Sequence, residues 1–152
     1  MMAKRRKGIK RHETLKPLSR HHMIGLHLAL KFKRAGTKES RLTLEEIIED
    51  AREFWVPDGN EHFREEEEVL LPAYSEFGDI NDSEIVTMLV EHVLIRAGMN
   101  KLLEENERDI EKMHELGKLL EEHIRREERI IFPMIEKNLP EDKLEELAPY
   151  LH

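Results

Sequence analysis

Two stretches, HFREEEEVLLP at residues 62–72 and HIRREERIIFP at residues 123–133, have the same length and the same polar pattern. Each opens with a histidine, places a glutamate four residues later and ends in an apolar run closed by proline. A spacing of four residues puts two side chains on one face of an α-helix, one turn apart. The repeat therefore predicts two helices that each present a histidine and a carboxylate in the same direction.

The apolar residues around these stretches recur at the three- and four-residue spacing of helices that bury one face. We predict a short terminal helix and, before it, four long helices at about residues 18–35, 43–77, 83–105 and 109–138. Thr43 and Glu46 form a capping-box pattern at the start of the second helix, and Pro57 with Gly59 is predicted to kink or interrupt it. Short connections between long helices predict an all-α fold, an antiparallel up-down four-helix bundle.

Composition excludes several classes of protein. The 152 residues contain no cysteine, which excludes disulfides, iron–sulfur clusters and thiol catalysis. No run of apolar residues is long enough to span a bilayer, and no apolar segment follows the basic N-terminus as in a secretory signal, so we expect a cytoplasmic protein without a membrane partner. The net charge of −8 argues against nucleic-acid binding over the whole surface.

The N-terminal segment MMAKRRKGIKRH, residues 1–12, carries six Lys and Arg residues and no acid. We interpret residues 1–14 as a basic, flexible tail and residues 15–152 as the bundle. No aromatic residue interleaves with the charges to stack on bases, but the tail leaves a contact with nucleic acid open. The sequence indicates neither a protein partner nor an oligomeric state.

Histidines and carboxylates interrupt the otherwise apolar stripes that the four helices turn inward. On the first helix, a turn of about 100° per residue directs His22 inward and leaves His21 on the flank, so we prefer His22 and keep His21 as the alternative. The other inward polar residues are His62, Glu66, His92, His123 and Glu127. Buried carboxylates without a cationic partner are costly, and no Lys or Arg lies in the stripes near these two. A metal pair is the simplest counter-charge, and mixed nitrogen and oxygen ligands favour iron or manganese over tetrahedral zinc.

This constellation resembles the hemerythrin-like family, also called the HHE cation-binding domain. The segments LSRHHMIGLHLAL, HFREEEEVLLP, EHVLIR and EEHIRREERIIFP follow its pattern in order, over about residues 15–139. The resemblance implies a four-helix bundle around two non-haem iron ions with an oxo or hydroxo bridge, manganese or zinc being alternatives. The ligands that it implies are His22 (or His21), His62, Glu66, His92, His123 and Glu127.

One departure from the family pattern bears on function. Oxygen-carrying members place two histidines one turn apart on the third helix, whereas here Met88 and Arg96 flank His92. One ligand fewer leaves an open position for water, oxygen, peroxide or nitric oxide. We therefore predict a protein that binds or senses oxygen, peroxide, nitric oxide, or the iron or redox state.

The alternative is a di-iron enzyme, either of the oxidase or peroxidase type or one that supplies iron for repair, and no catalytic residue is assigned. A metal pair with only a structural role is the third candidate. Glu65 and Arg96 are predicted to stand behind the ligands. Glu67 and Glu128 repeat as well, but they lie about 140° from the histidines of their own helices and are interpreted as surface or inter-helix groups.

Overall fold

The computed structural model describes residues 10–105 and 108–152, and every regular element in these ranges is helical. The α-helices are α1 Lys16–Arg34, α2 Leu44–Phe54, α3 Asn60–Glu65, α4 Leu71–Tyr74, α5 Ser83–Glu104, α6 Ile110–Arg126, α7 Phe132–Asn138 and α8 Glu141–Leu147. The π-helical turns Trp55–Gly59 and Glu66–Leu70 join α2, α3 and α4 into one continuous helix 44–74. The π-helical turn Glu127–Ile131 joins α6 and α7 into helix 110–138. A 3-10 turn, Glu13–Leu15, precedes α1, and another, Ala148–Tyr150, follows α8. None of the described helices combines the length and the apolar character needed to cross a bilayer.

The predicted signals at the helix ends are present. The Thr43 hydroxyl accepts a hydrogen bond from the Glu46 N–H at 3.1 Å, and the Glu46 carboxylate accepts one from the Thr43 N–H at 2.8 Å. This reciprocal pair satisfies two N–H groups at the start of α2. Beyond α1, Gly36 has a φ of 73°, which a side chain rarely allows, and a Cβ there would lie 2.6 Å from Ile110. Glycine is therefore required where the chain leaves α1.

The π turns change the phase of the two long helices that carry the repeat. Two of these turns begin at the glutamate of a repeat and end two residues before its proline. Proline has no N–H to donate and crowds the carbonyl four residues earlier, which favours the wider turn. At a constant 3.6 residues per turn Ile130 would follow Glu127 on the inward face, but it is 38% exposed, and the extra residue places Ile131 there, fully buried. The interruption predicted at Pro57 is also a π turn, and the helix continues through it.

The contacts of α1 with α6 run in opposite order along the two helices. His22 meets Glu127, a Cβ at Gly117 would lie 2.7 Å from the Ala29 carbonyl oxygen, and the Ala35 carbonyl faces His114. The two helices are therefore antiparallel and closely packed.

Two apolar clusters fill the interior, one containing Phe32 and Trp55 and the other containing Leu18 and Phe132. Along their helices, His22, Glu66, His92 and Glu127 lie between members of the two clusters, whereas His62 and His123 each directly precede a member of the first cluster. The apolar core thus fixes the helices on both sides of the polar group.

Residues 11–14, which the sequence interpretation placed in the tail, pack on the helices. Arg11 is 8% exposed and donates hydrogen bonds to Glu128 and Glu136, while Thr14 donates one to the Leu144 carbonyl at 2.9 Å. The packed part of the chain therefore includes Arg11. Residues 1–9 of the predicted basic tail lie outside the described residues.

Candidate metal centre

The structure brings all six predicted ligands together. Each histidine comes from a different α-helix: α1 carries His22, α3 carries His62, α5 carries His92 and α6 carries His123. The two carboxylates, Glu66 and Glu127, are each the first residue of a π turn. All six side chains are buried, none more than 5% exposed. His21, the alternative on α1, is half-buried and stacks on the His62 ring with centroids 5.5 Å apart, and it belongs to neither ligand group described below.

The first group, called here the first metal position, consists of His22, His62 and one oxygen from each carboxylate. His22 Nε2 lies 2.8 Å from Glu127 Oε1. His62 Nε2 lies 2.9 Å from Glu66 Oε2 and 3.9 Å from Glu127 Oε1. The four ligand atoms of this group lie within 4.8 Å of one another, a separation that one ion can bridge.

The second group, the second metal position, uses the other oxygen of each carboxylate. His92 Nε2 lies 3.1 Å from Glu66 Oε1 and 3.1 Å from Glu127 Oε2. His123 Nε2 lies 2.9 Å from Glu127 Oε2. Both carboxylates therefore face both positions, which is the arrangement of two bridging carboxylates between two cations.

Several atoms of this cluster lack the hydrogen bonds that buried polar groups require. Among the described residues, no hydrogen-bond partner is found for either nitrogen of His62, either oxygen of Glu66, or Nε2 of His123. Each buried polar atom left unpaired costs about 1–3 kcal/mol. Cations at the two positions would engage four of these five atoms, because only His62 Nδ1 faces away from them.

Without a metal, protonated histidines neutralise the carboxylates. Burial lowers the pKa of His22 and of His92, but hydrogen bonds to Glu127 and neighbouring carboxylates outweigh burial and raise the two values to about 9 and about 11. Burial raises the pKa of Glu127, but the facing histidines hold it well below the ordinary value. The histidines of the metal-free cluster therefore carry protons that a metal must displace.

Metal uptake is therefore expected to release protons. At pH 7, His22 and His92 are both protonated in the metal-free protein, whereas a ligating imidazole must be neutral. Binding of two divalent ions should release at least these two protons per chain, and metal affinity should fall as the pH is lowered. Titration with zinc in a weakly buffered indicator solution measures the release. Uptake of two ions without acidification would contradict the assignment.

Three of the four histidines have a carboxylate behind the ring. The pairs are Glu128 Oε2 with His22 Nδ1 at 2.6 Å, Glu67 Oε2 with His92 Nδ1 at 2.6 Å, and Glu91 Oε1 with His123 Nδ1 at 2.8 Å. Burial raises the pKa of each of these carboxyls, but the hydrogen bond from its histidine and the nearby histidine and arginine charges together outweigh burial, and the pKa lies below the ordinary value. An ionised acceptor at Nδ1 orients the imidazole and leaves Nε2 free to ligate.

An arginine holds each of these three carboxylates. The pairs are Arg11 with Glu128 at 3.0 Å, Arg96 with Glu67 at 2.9 and 3.1 Å, and Arg126 with Glu91 at 3.3 Å. Arg96, which was predicted to stand behind the ligands, reaches His92 only through Glu67. Glu65 instead accepts hydrogen bonds from the N–H and ring of His152 at 2.9 and 2.8 Å.

The sequence interpretation took Glu67 and Glu128 for surface or inter-helix groups and did not single out Glu91. Each touches a histidine on a neighbouring helix, so the periodicity of its own helix does not reveal the contact. The available signal was the repeat itself, since both copies carry a glutamate at the place of Glu67 and Glu128.

Removing one of these carboxylates tests their effect on the metal. Glu67→Gln should weaken binding at the second metal position about 10- to 100-fold while the stoichiometry at saturation is kept, because His92 loses its ionised acceptor. Competition with a chelator measures the affinity. Glu68→Gln is the matched control, since the adjacent Glu68 is exposed and pairs with Arg64. Equal affinities in the two variants would contradict the role given to Glu67.

Aromatic rings and a small cavity border the cluster. Phe63 stacks on His92 with ring centroids 3.8 Å apart, and Phe132 stacks on His22 at 5.3 Å. A cavity of ≈ 20 Å³ touches three of the ligand histidines and is otherwise lined by His21, Phe54, Gly59, Phe63, Leu120 and Ile124. This volume holds about one or two water-sized molecules.

Residues 12–135 match the model of a protein family described as the hemerythrin HHE cation binding domain. The matched range contains both metal positions and the three carboxylates behind the histidines. No curated protein and no solved structure matches the chain significantly.

Proposed function

The chain belongs to the hemerythrin HHE cation-binding family, and from this premise we propose that it holds two iron ions at the centre of an antiparallel four-helix bundle. The bundle comprises α1, helix 44–74, α5 and helix 110–138. The observation that carries the proposal is that Glu66 and Glu127 each offer one oxygen to each histidine pair.

The donor set favours iron over zinc. Each metal position has two imidazole nitrogens and two carboxylate oxygens, a mixture that suits iron or manganese in six-coordinate geometry. Four protein donors at each position would leave part of the coordination sphere of an iron ion to solvent or a small ligand. Bound iron supplies one-electron redox chemistry and Lewis acidity at those places.

The chain's own residues orient the site and restrict its access. Glu67, Glu91 and Glu128 fix three imidazoles, and the stacked rings of Phe63 and Phe132 cover their faces. The ≈ 20 Å³ cavity beside the first metal position admits a diatomic molecule or peroxide but not an organic substrate. This supports a role in binding or sensing oxygen, peroxide or nitric oxide rather than catalysis on a larger molecule.

Metal analysis of protein purified from iron-supplied cells tests the identity of the metal. We expect two iron ions per chain and a visible spectrum in air that is lost on reduction. Two zinc or manganese ions per chain under the same supply would refute the assignment of iron.

Filling the cavity tests the site of the small ligand. Leu120→Phe should leave the iron content unchanged and slow nitric oxide binding to the reduced protein about tenfold, because the ring occupies the space beside the histidines. Stopped-flow absorbance gives the rate. Leu116→Phe is the control, since Leu116 borders a different cavity near Gly98 and the overpacking is comparable. Equal rates in both variants would place ligand entry elsewhere.

A further inference from the structure

A larger groove, of about 420 Å³, opens between α1 and helix 110–138. The groove is separate from the ≈ 20 Å³ cavity. Glu128 and His22 form part of the wall of the groove. The volume falls in the range of sites that bind small organic molecules, about 300–1,000 Å³. The proposed iron site does not use this groove.

Most of the groove surface is apolar. Met23 lies in this surface and is 59% exposed, although an apolar side chain gains no stabilisation from contact with water. Leu26 and Ile124 continue the apolar wall. The one carboxylate in the wall, Glu128, is already engaged by Ser19, Arg11 and His22. Its charge is therefore neutralised and does not repel an anion in the groove.

Four cations surround this apolar surface in a chain whose net charge is −8. Lys16 pairs with Glu13 at 2.6 Å, and Arg125 pairs with Glu121 at 2.9 Å. Arg20 and Arg129 are exposed, and neither forms an ion pair or side-chain hydrogen bond within residues 10–105 and 108–152. Two guanidinium groups are thus available to an anionic ligand, which arginine binds by paired hydrogen bonds.

We propose that this groove binds a small organic anion with an apolar tail, of the medium-chain carboxylate type. The head group pairs with Arg20 and Arg129, and the tail lies on Met23, Leu26 and Ile124. Both halves are needed, because the exposed cations alone give weak pairing in water and the apolar wall alone does not select an anion.

Titration calorimetry of the full-length, metal-loaded protein tests the chemistry of the ligand. Octanoate should bind at one site per chain. Acetate and 1-octanol should each bind at least about tenfold more weakly, because acetate lacks the apolar tail and 1-octanol lacks the negative charge. The titration with acetate also shows whether a carboxylate binds the metal without using the groove. Octanoate binding no tighter than acetate, or no tighter than 1-octanol, would overturn the proposal.

Two neighbouring residues provide a matched pair of variants for locating the site. Met23 and Ile24 are 59% and 58% exposed, but only Met23 lines the groove. Met23→Glu should weaken octanoate binding at least about tenfold, whereas Ile24→Glu should change it less than about twofold, although the added charge is the same. Equal effects of the two variants would place octanoate outside the groove.

The cations are tested in the same way. Arg20→Gln/Arg129→Gln should weaken octanoate binding about tenfold, while Arg52→Gln/Arg64→Gln removes the same charge from another surface and should leave it within about twofold. Circular dichroism confirms helix content in every variant. Unchanged octanoate binding after loss of Arg20 and Arg129 would refute the role of these two residues.

Discussion

Replacing Glu127 with glutamine is expected to abolish both metal positions of the proposed di-iron centre. Glu127 Oε1 faces His22 in the first metal position and Glu127 Oε2 faces His92 and His123 in the second. The amide removes the negative charge from both positions at once and offers only one oxygen. We expect the iron content to fall from two per chain to under about 0.2, since carboxylate ligands supply the charge that balances the ions.

The control for this variant is Glu122→Gln, at an exposed glutamate of α6. It makes the same chemical change on the same helix and should keep two ions per chain. Iron analysis after gel filtration measures both variants, and circular dichroism shows whether each is folded. A folded Glu127→Gln protein that retains two iron ions would show that this carboxylate does not bridge.

Removing one histidine from each metal position should have an effect of similar size. In His62→Ala/His123→Ala, each position keeps one imidazole and the shared carboxylates. Three donors of which two are shared bind an ion much more weakly, so we expect stoichiometric iron to be lost. The single variant His62→Ala should lose mainly the ion of the first position, because His123 Nε2 still faces the second.

His27→Ala is the control for the histidine variants, because His27 is exposed on α1 and belongs to neither metal position. It should retain two ions per chain. Iron content and the visible spectrum are measured on the same samples. Two ions per chain in the double variant would place the metal site elsewhere in the protein.

The inward position of the six candidate ligands could be predicted because each is directed inward by the periodicity of its own helix. His22 was preferred over His21 by a calculation of angles, and the structure buries His22 while His21 is half-buried. The carboxylates behind the histidines could not be found in this way. Glu91 and Glu128 each act on a helix other than their own, and that contact depends on how the helices are packed.

The π turns mark another limit of the sequence. The predicted stripes assumed a constant 3.6 residues per turn, but π turns begin at Trp55, Glu66 and Glu127. The prolines at residues 72 and 133 are visible in the sequence, but a proline within a helix indicates a bend and not an added residue. They follow turns that add a residue, and this is why Ile131 rather than Ile130 is buried.

The packing of Arg11 was also not predictable from its surroundings in the sequence. It lies in a run of basic residues typical of a solvated tail, yet it is 8% exposed and holds the carboxylate behind His22. A long-range contact with Glu128 decides its position. Composition describes the average solvent exposure of such a segment and does not identify the one residue that packs on the helices.

Anomalous X-ray scattering from crystals of the iron-loaded protein tests the central claim most directly. Difference maps at the iron edge should show two peaks per chain, both between Glu66 and Glu127. One peak should lie at coordination distance from Nε2 of His22 and His62, and the other from Nε2 of His92 and His123. A single peak, or a peak that involves His21 in place of His22, would contradict the shared-carboxylate centre.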